Sequence, residues 1–260
     1  MKVVAYCHVR NEQALIGYWI RHYAQFCERL HVFDDGSTDG TREIVQSFPG
    51  VDLHDLPFTG LDESALLNLA HAEVAKQSGK ADWCIWADAD EFVHADNIRD
   101  RLRTLRACGY PFCRTVGFNM TGARLPPDDG ESQLTAIYRT GIRAPVYSKP
   151  IIVNPSAGVE WSRGKHTAQN ADCLPTVPWN DEYKPDPLRI KLLHYRFLDE
   201  NYVRERNARQ YARSVSKETA WSCAPDYKGE HSPEWTASVA RFARDVVNDD
   251  ACYLPAPNDA

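Results

Sequence analysis

Three short, mostly apolar runs, at residues 3–9, 30–33 and 83–87, each end in a polar cluster. Between them the apolar spacing changes period. Leu15, Ile16, Trp19, Ile20, Tyr23 and Phe26 recur at helical intervals, so the pattern predicts an amphipathic helix over about 13–27. A helix over 41–47 is stopped by Pro49-Gly50, and 51–53 reads as a further strand. Asp62-Glu63-Ser64 opens a helix to about Gln77, with acidic residues where the macrodipole favours them. Another helix is expected over 98–107. Strands alternating with helices over the first hundred residues predict an α/β fold with a parallel sheet covered on both faces. Such sheets bind ligands at the carboxyl ends of their strands. Arg10-Asn11-Glu12, Asp34-Asp35 and Asp88-Ala89-Asp90 all lie there.

The second half is less regular. Strand-like runs are expected at 112–118, 134–139, 146–153 and 189–193, with helical segments at 201–215 and 233–247. Across 260 residues, 43% are hydrophobic, enough for one large core, and the formal net charge is -6. An acidic chain is poorly suited to sequence-blind nucleic-acid binding. The eight cysteines include no Cys-x-x-Cys pair, which points to free thiols rather than a zinc ribbon. No apolar run approaches the ~20 residues of a membrane span, and the apolar start is too short for a signal peptide. A soluble, cytoplasmic protein is the expectation.

The clusters carry the chemistry. In "WADADEF", Asp88 and Asp90 would share a face if they extended the strand. Neighbouring carboxylates repel unless a cation lies between them or one is protonated. A hard divalent metal with positions left for phosphate oxygens meets that need. His194, at the end of "IKLLH", and His166, in "RGKHT", are the histidines able to complete such a site, and a nitrogen ligand suits manganese somewhat better than magnesium. The arginine run after His194 reads differently: Arg206 and Arg213 are expected on a solvated helix face. The turn "DDGSTDGT" resembles a calcium loop, but a strand precedes it and Gln46 stands where a bidentate Glu is needed. Its carboxylates also repel phosphate. They are better suited to accept hydrogen bonds, with Asp35 reading a nucleobase imide and Asp88 the ribose, while Ser37, Thr38 and Asp39 cap the following helix.

Together these residues resemble glycosyltransferases of the GT-A fold, family 2. "DDGSTDGT" matches that family's turn residue for residue, and "DADEF" looks like its Asp-x-Asp segment in the form of one small bacterial subgroup. Arg10-Asn11-Glu12, Lys149-Pro150 and His194-Tyr195 add to the likeness. The resemblance implies a Rossmann-like, mixed, mainly parallel central sheet flanked by helices, with a helical C-terminal extension. It implies inverting transfer of a sugar from a nucleotide-diphosphate sugar, often a UDP-sugar, with Mn2+ or Mg2+. The nucleotide is then expected to meet His8, Arg10, Glu12, Asp35 and Asp88. The metal would take Asp88, Asp90 and His194, with His166 the alternative, and the diphosphate would meet Arg196 and Lys191. The family's usual Glu-Asp pair is missing, so the general base is open among Glu160, Asp172, Asp181 and Glu91, with Asp128, Asp129 and Glu182 also eligible. Tyr147, Trp161, Trp179 and Tyr183 could stack on a sugar or plug the core.

On this reading residues 1–200 form the transferase unit, 1–95 serving the nucleotide and 96–200 the acceptor, and 201–260 pack on it as a helical tail. The partners are a nucleotide-sugar donor and an acceptor of unknown identity. Two other readings are a nucleotidyltransferase acting on sugar phosphates, for which "CHVRNEQ" lacks the glycines of a phosphate loop, and a non-catalytic nucleotide-sugar-binding protein, which has no use for an Asp-x-Asp.

Overall fold

A computed structural model describes residues 1–57, 62–122, 124–170, 190–198, 200–213 and 243–248. The first half alternates as the patterning predicts: β1 (Val3–Val9), α1 (Ile16–Tyr23), β2 (Arg29–Asp34), α2 (Thr41–Ser47), β3 (Val51–Asp55), α3 (Glu63–Ala75), β4 (Trp83–Trp86), β5 (Glu91–His94) and α4 (Ile98–Ala107). Then come β6 (Phe112–Cys113), β7 (Val116–Met120), α5 (Leu134–Ile137), β8 (Thr140–Arg143), β9 (Ile152–Val153), β10 (Glu160–Trp161), β11 (Ala168–Gln169), β12 (Lys191–His194), α6 (Glu200–Arg213) and β13 (Arg244–Asp245).

The first sheet runs β3-β2-β1-β4-β9-β6. Its first four strands are parallel, and β9 lies antiparallel to both β4 and β6. Both faces are buried, so β1 reads as a continuous apolar run rather than an alternating one. Val3, Ala5, Cys7 and Val9 face the larger core with Trp19, Tyr23, Trp83 and Phe92, while Val4 and Tyr6 face the smaller one under α3. There Tyr6 stacks on Trp86 at 5.2 Å and Phe33 on Trp86 at 5.9 Å.

A second sheet, β13-β8-β7-β12-β5, stands beside the first. Residues 87–90, the acidic segment, are the joint through which the chain passes from β4 to β5. Because β5 is an edge strand, its outer backbone needs partners other than a strand. α1 supplies them. His22 Nε2 donates to the Val93 carbonyl at 2.8 Å, and the Tyr23 hydroxyl donates to the Glu91 carbonyl and accepts from Val93 N–H, both at 3.0 Å.

Three expectations fail in the second half. Residues 134–139 are not a strand. The pairing of β7 with β8 begins at Gly141, close against the Asn119 carbonyl, and 134–137 closes as one helical turn over the buried Leu134. Residues 146–153 are mostly irregular because Pro145 and Pro150 bring no N–H to a ladder, leaving only β9. Of the helix expected at 233–247, the described part is strand β13 and a turn, paired with β8. Among the described cysteines, Cys7, Cys27, Cys84 and Cys108 are free thiols. No helix among the described residues is long and apolar enough to cross a membrane.

The buried His22 carries a pH dependence. Burial pulls its imidazole down to about 4, despite the bond to Val93. Its folded value lies below the unfolded one of about 6.5, so the unfolded chain takes up the proton first. This stability is fully present above pH ~6.5 and is lost as pH falls towards 4, by about 3 kcal/mol. In denaturant titrations His22→Gln, which keeps an N–H for Val93, should show a shallower loss over that window than the wild type.

Candidate active site

The loops after β1 and β2 are built as one piece. Asn11, in the left-handed region at φ 54°, donates its N–H to Ser37 Oγ at 2.9 Å and accepts from Thr38 N–H at 2.7 Å. Glu12 N–H donates to Thr41 Oγ1 at 2.8 Å, and Gly40 N–H donates to Gln13 Oε1 at 2.9 Å. Gly36, at φ 67°, makes the turn that a side chain would strain. Ser37 and Thr38 therefore serve the neighbouring loop, which corrects the capping role expected of them. Only Asp39 bonds the start of α2, accepting Thr41 N–H at 2.9 Å. Asp34 ties the turn internally, accepting from Ser37 and, at 2.7 Å, from Arg42. Asp35 is buried at the end of β2, with Arg10 Nη1 at 3.7 Å from its carboxylate and also donating to its carbonyl.

The acidic segment does not extend β4, so Asp88 and Asp90 do not share a strand face. Asp88 lies 3.6 Å from Lys165, and its side chain is more than a third exposed. Burial of its carboxyl works upwards, but Lys165 and Lys149 outweigh it and hold it down to about 2, with His8 and its charge close enough to contribute. Asp90 is buried and turns towards β12 and α6: Oδ2 is 3.5 Å from His194 Nε2 and 3.1 Å from Arg206 Nη1. Those two cationic or protonatable groups overcome burial and hold Asp90 far below the usual carboxylate range.

His194 is positioned by the register of β12, opposite Glu91 on one side and Asn119 on the other. Its Nδ1 donates to Asn119 Oδ1 at 3.0 Å, which fixes the tautomer, and burial lowers its pKa. The Nε2 lone pair of the neutral ring then faces a carboxylate. Asp90 Oδ2, for its part, accepts no aligned hydrogen bond. A nitrogen lone pair and a buried carboxylate oxygen pointing together are a donor set that fits a divalent cation. The fit is with Asp90 and His194 alone. Among the described residues no three His, Cys, Asp or Glu side chains converge as a metal site, so Asp88 is not brought to the same point. His166 is not either: its Nδ1 bonds the Val146 carbonyl at 2.9 Å, and burial lowers it to about 4.

Arg206 is another residue that the sequence reading placed wrongly. It is 7% exposed rather than solvated, and its Nε donates to Glu12 Oε1 at 3.0 Å while Nη1 meets Asp90. One turn earlier Tyr202 donates to Glu12 Oε2 at 2.6 Å. Tyr202 and Arg206 stand four apart on a helix that begins soon after His194; that spacing was the signal available for both. Asn119 left no such signal. Tyr147 packs over the His194 ring at 3.8 Å, a partner instead of an open sugar platform, and Trp161 is core, donating from Nε1 to the Pro150 carbonyl.

Lys191 stands at the far end of β12 from His194. It is buried, with Nζ donating to the Val246 carbonyl at 2.7 Å, which corrects its expected diphosphate role. Arg196 donates to Asn207 on α6, and its charge reaches Asp90. Of the base candidates, Glu91 is wholly buried and bound by Lys149 Nζ at 2.5 Å, with its other oxygen accepting Asp88 N–H at 3.1 Å. A carboxylate so tied is a support for the segment, not a base. Glu160 is exposed on β10 and accepts from Gln169. Asp128 pairs with Arg21 on α1, and Asp129 closes the turn at Ser132. Asp172, Asp181, Glu182, Trp179 and Tyr183 lie outside the described residues.

A family profile described as "Glycosyl transferase family 2" matches residues 11–160. No curated protein matches significantly. Among solved structures, S. aureus TarS residues 1–349 overlays with a TM-score of 0.42 at 12% identity, over 86% of this chain and 69% of that one. The longer TarS structure gives 0.38 at 14% identity, over 60% of this chain and 29% of that one. Glucosyl-3-phosphoglycerate synthase from Mycobacterium tuberculosis, in complex with Mn2+, UDP and glucosyl-3-phosphoglycerate, gives 0.34 at 19% identity, over 45% of this chain and 44% of that one. The chain thus spans under half the length of two of these three, and all are too distant to carry a role to any residue here.

The Glu91–Lys149 pair predicts its own test. Lys149→Met leaves a buried carboxylate unpaired and should cost about 3–5 kcal/mol. Adding Glu91→Gln should return part of that loss, a coupling read in a double-mutant cycle by denaturant unfolding.

Proposed function

The chain belongs to glycosyl transferase family 2, and from that membership and the site geometry we propose that it transfers a hexosyl or N-acetylhexosaminyl group, with inversion, from a UDP-sugar to an acceptor hydroxyl. The observation that carries this reading is that Asp35 follows β2 while Asp88 and Asp90 follow β4, the two parallel strands that flank β1, with His194 facing Asp90. Asp35, oriented by Arg10, accepts the imide N–H of uracil. Asp88 accepts ribose hydroxyls, its charge kept by Lys165 and Lys149. Asp90 and His194 would hold Mn2+ or Mg2+, which when bound neutralises the diphosphate and eases its departure. The acceptor hydroxyl needs a general base. With Glu91 tied to Lys149 and Glu160 on an outer hairpin, we assign this role to Asp172 or Asp181.

In this reading residues 1–95 bind the donor and 96–200 the acceptor, and 201–260 pack on the same unit. Its support is that Arg206 and β13 both reach back into the first 200 residues.

A thermal-shift comparison of UDP, GDP, CDP and dTDP, each with Mn2+ or chelator, tests the donor. UDP with Mn2+ should raise Tm most, since a ligand at a hundred times its Kd adds about 2.7 kcal/mol. CDP, without an imide N–H, and dTDP, without a 2′-hydroxyl, should trail. No response, or equal responses with and without metal, overturns the reading. Of Asp172→Asn and Asp181→Asn, one should lower kcat by roughly a hundredfold or more with donor KM unchanged.

A further inference from the structure

We propose that Arg206 is a metal-released diphosphate ligand: it neutralises Asp90 while the site is empty and turns to the diphosphate once a divalent cation takes the Asp90 oxygen. The inference rests on the donor and metal reading above.

The geometry carries it. Arg206 divides its guanidinium between two acids, Nε on Glu12 Oε1 at 3.0 Å and Nη1 beside Asp90 Oδ2 at 3.1 Å. The two halves differ in quality. The Glu12 side is a complete hydrogen bond, and Tyr202 holds the other Glu12 oxygen, so that side is an anchor. On the Asp90 side neither Nη1 nor Oδ2 makes an aligned hydrogen bond, although both are buried. Those atoms are held by charge alone. The oxygen Arg206 occupies is also the one His194 Nε2 faces.

A cation held by Asp90 and His194 would stand close to the guanidinium, and two positive groups at short range repel in a buried setting. Asp90 and Glu12 balance Arg206 and the more distant Arg196 beside a neutral histidine; a divalent cation adds two positive charges, which a diphosphate offsets. Nη1, displaced from Asp90 while Nε stays anchored at Glu12, would then be a charged N–H donor available to a diphosphate oxygen.

The test sets two affinities against each other in Arg206→Gln. By Mn2+ paramagnetic resonance, Mn2+ alone should bind about tenfold tighter than in the wild type, because its competitor is gone. By calorimetry, UDP in saturating Mn2+ should bind roughly ten- to a hundredfold weaker, the loss of one charged hydrogen bond. A merely structural arginine would weaken both together, and that result, or unchanged UDP affinity, overturns the inference. If Arg206→Gln does not fold, the wild type carries the test: the Arg206 Nε–Hε NMR resonance, identified by its loss in Arg206→Lys, should move on adding Mg2+ with UDP. A resonance indifferent to Mg2+ and UDP overturns it. Wild-type protein that binds no UDP with either metal instead removes the donor reading on which the inference rests.

Discussion

A single buried ion pair, Glu91 with Lys149, holds the joint on which both sheets and the acidic segment depend. Glu91 is the first residue of β5 and Lys149 lies just ahead of β9, so the pair fastens the start of the second sheet to the antiparallel part of the first. The spare Glu91 oxygen takes the Asp88 N–H and turns that residue away from β4. Asp88 and Asp90 consequently serve different neighbours: one meets the Lys165 loop, the other meets β12 and α6. Burying such a pair costs desolvation. Here its geometric effect is to turn two neighbouring carboxylates towards different cations.

The same joint sets the electrostatics of the site. Asp90 is kept ionised by groups from the far end of the chain, and Asp88 by lysines from the irregular middle. The first hundred residues thus provide the acids, while later segments provide the charges that govern them.

That division explains what could be read in advance. β1, β2 and β4 were legible because a strand buried on both faces is a continuous apolar run, and the acids at their ends announce themselves by residue type. His194 was legible for the same reason, as a titratable group ending an apolar strand. Arg206 was not, because on a charged helix its spacing of four from Tyr202 is a faint mark of burial; Glu12 and Asp90, brought there by the fold, make it interior. Lys191 failed in the opposite direction, since proximity in sequence to His194 hid the length of strand between them. Residues 134–137 were mistaken for a strand because a short apolar run has no period long enough to tell one helical turn from an extended segment.

The interlocked loops after β1 and β2 have an evolutionary consequence. Asn11, Glu12 and Gln13 and their partners in Ser37–Thr41 satisfy one another's backbone groups. Neither stretch can drift alone without breaking these bonds, among them that of the buried Glu12 N–H to Thr41. The two are therefore a single heritable module written in two places. A chimaera built with relatives should exchange both stretches together, and substitutions tolerated within them should come in pairs.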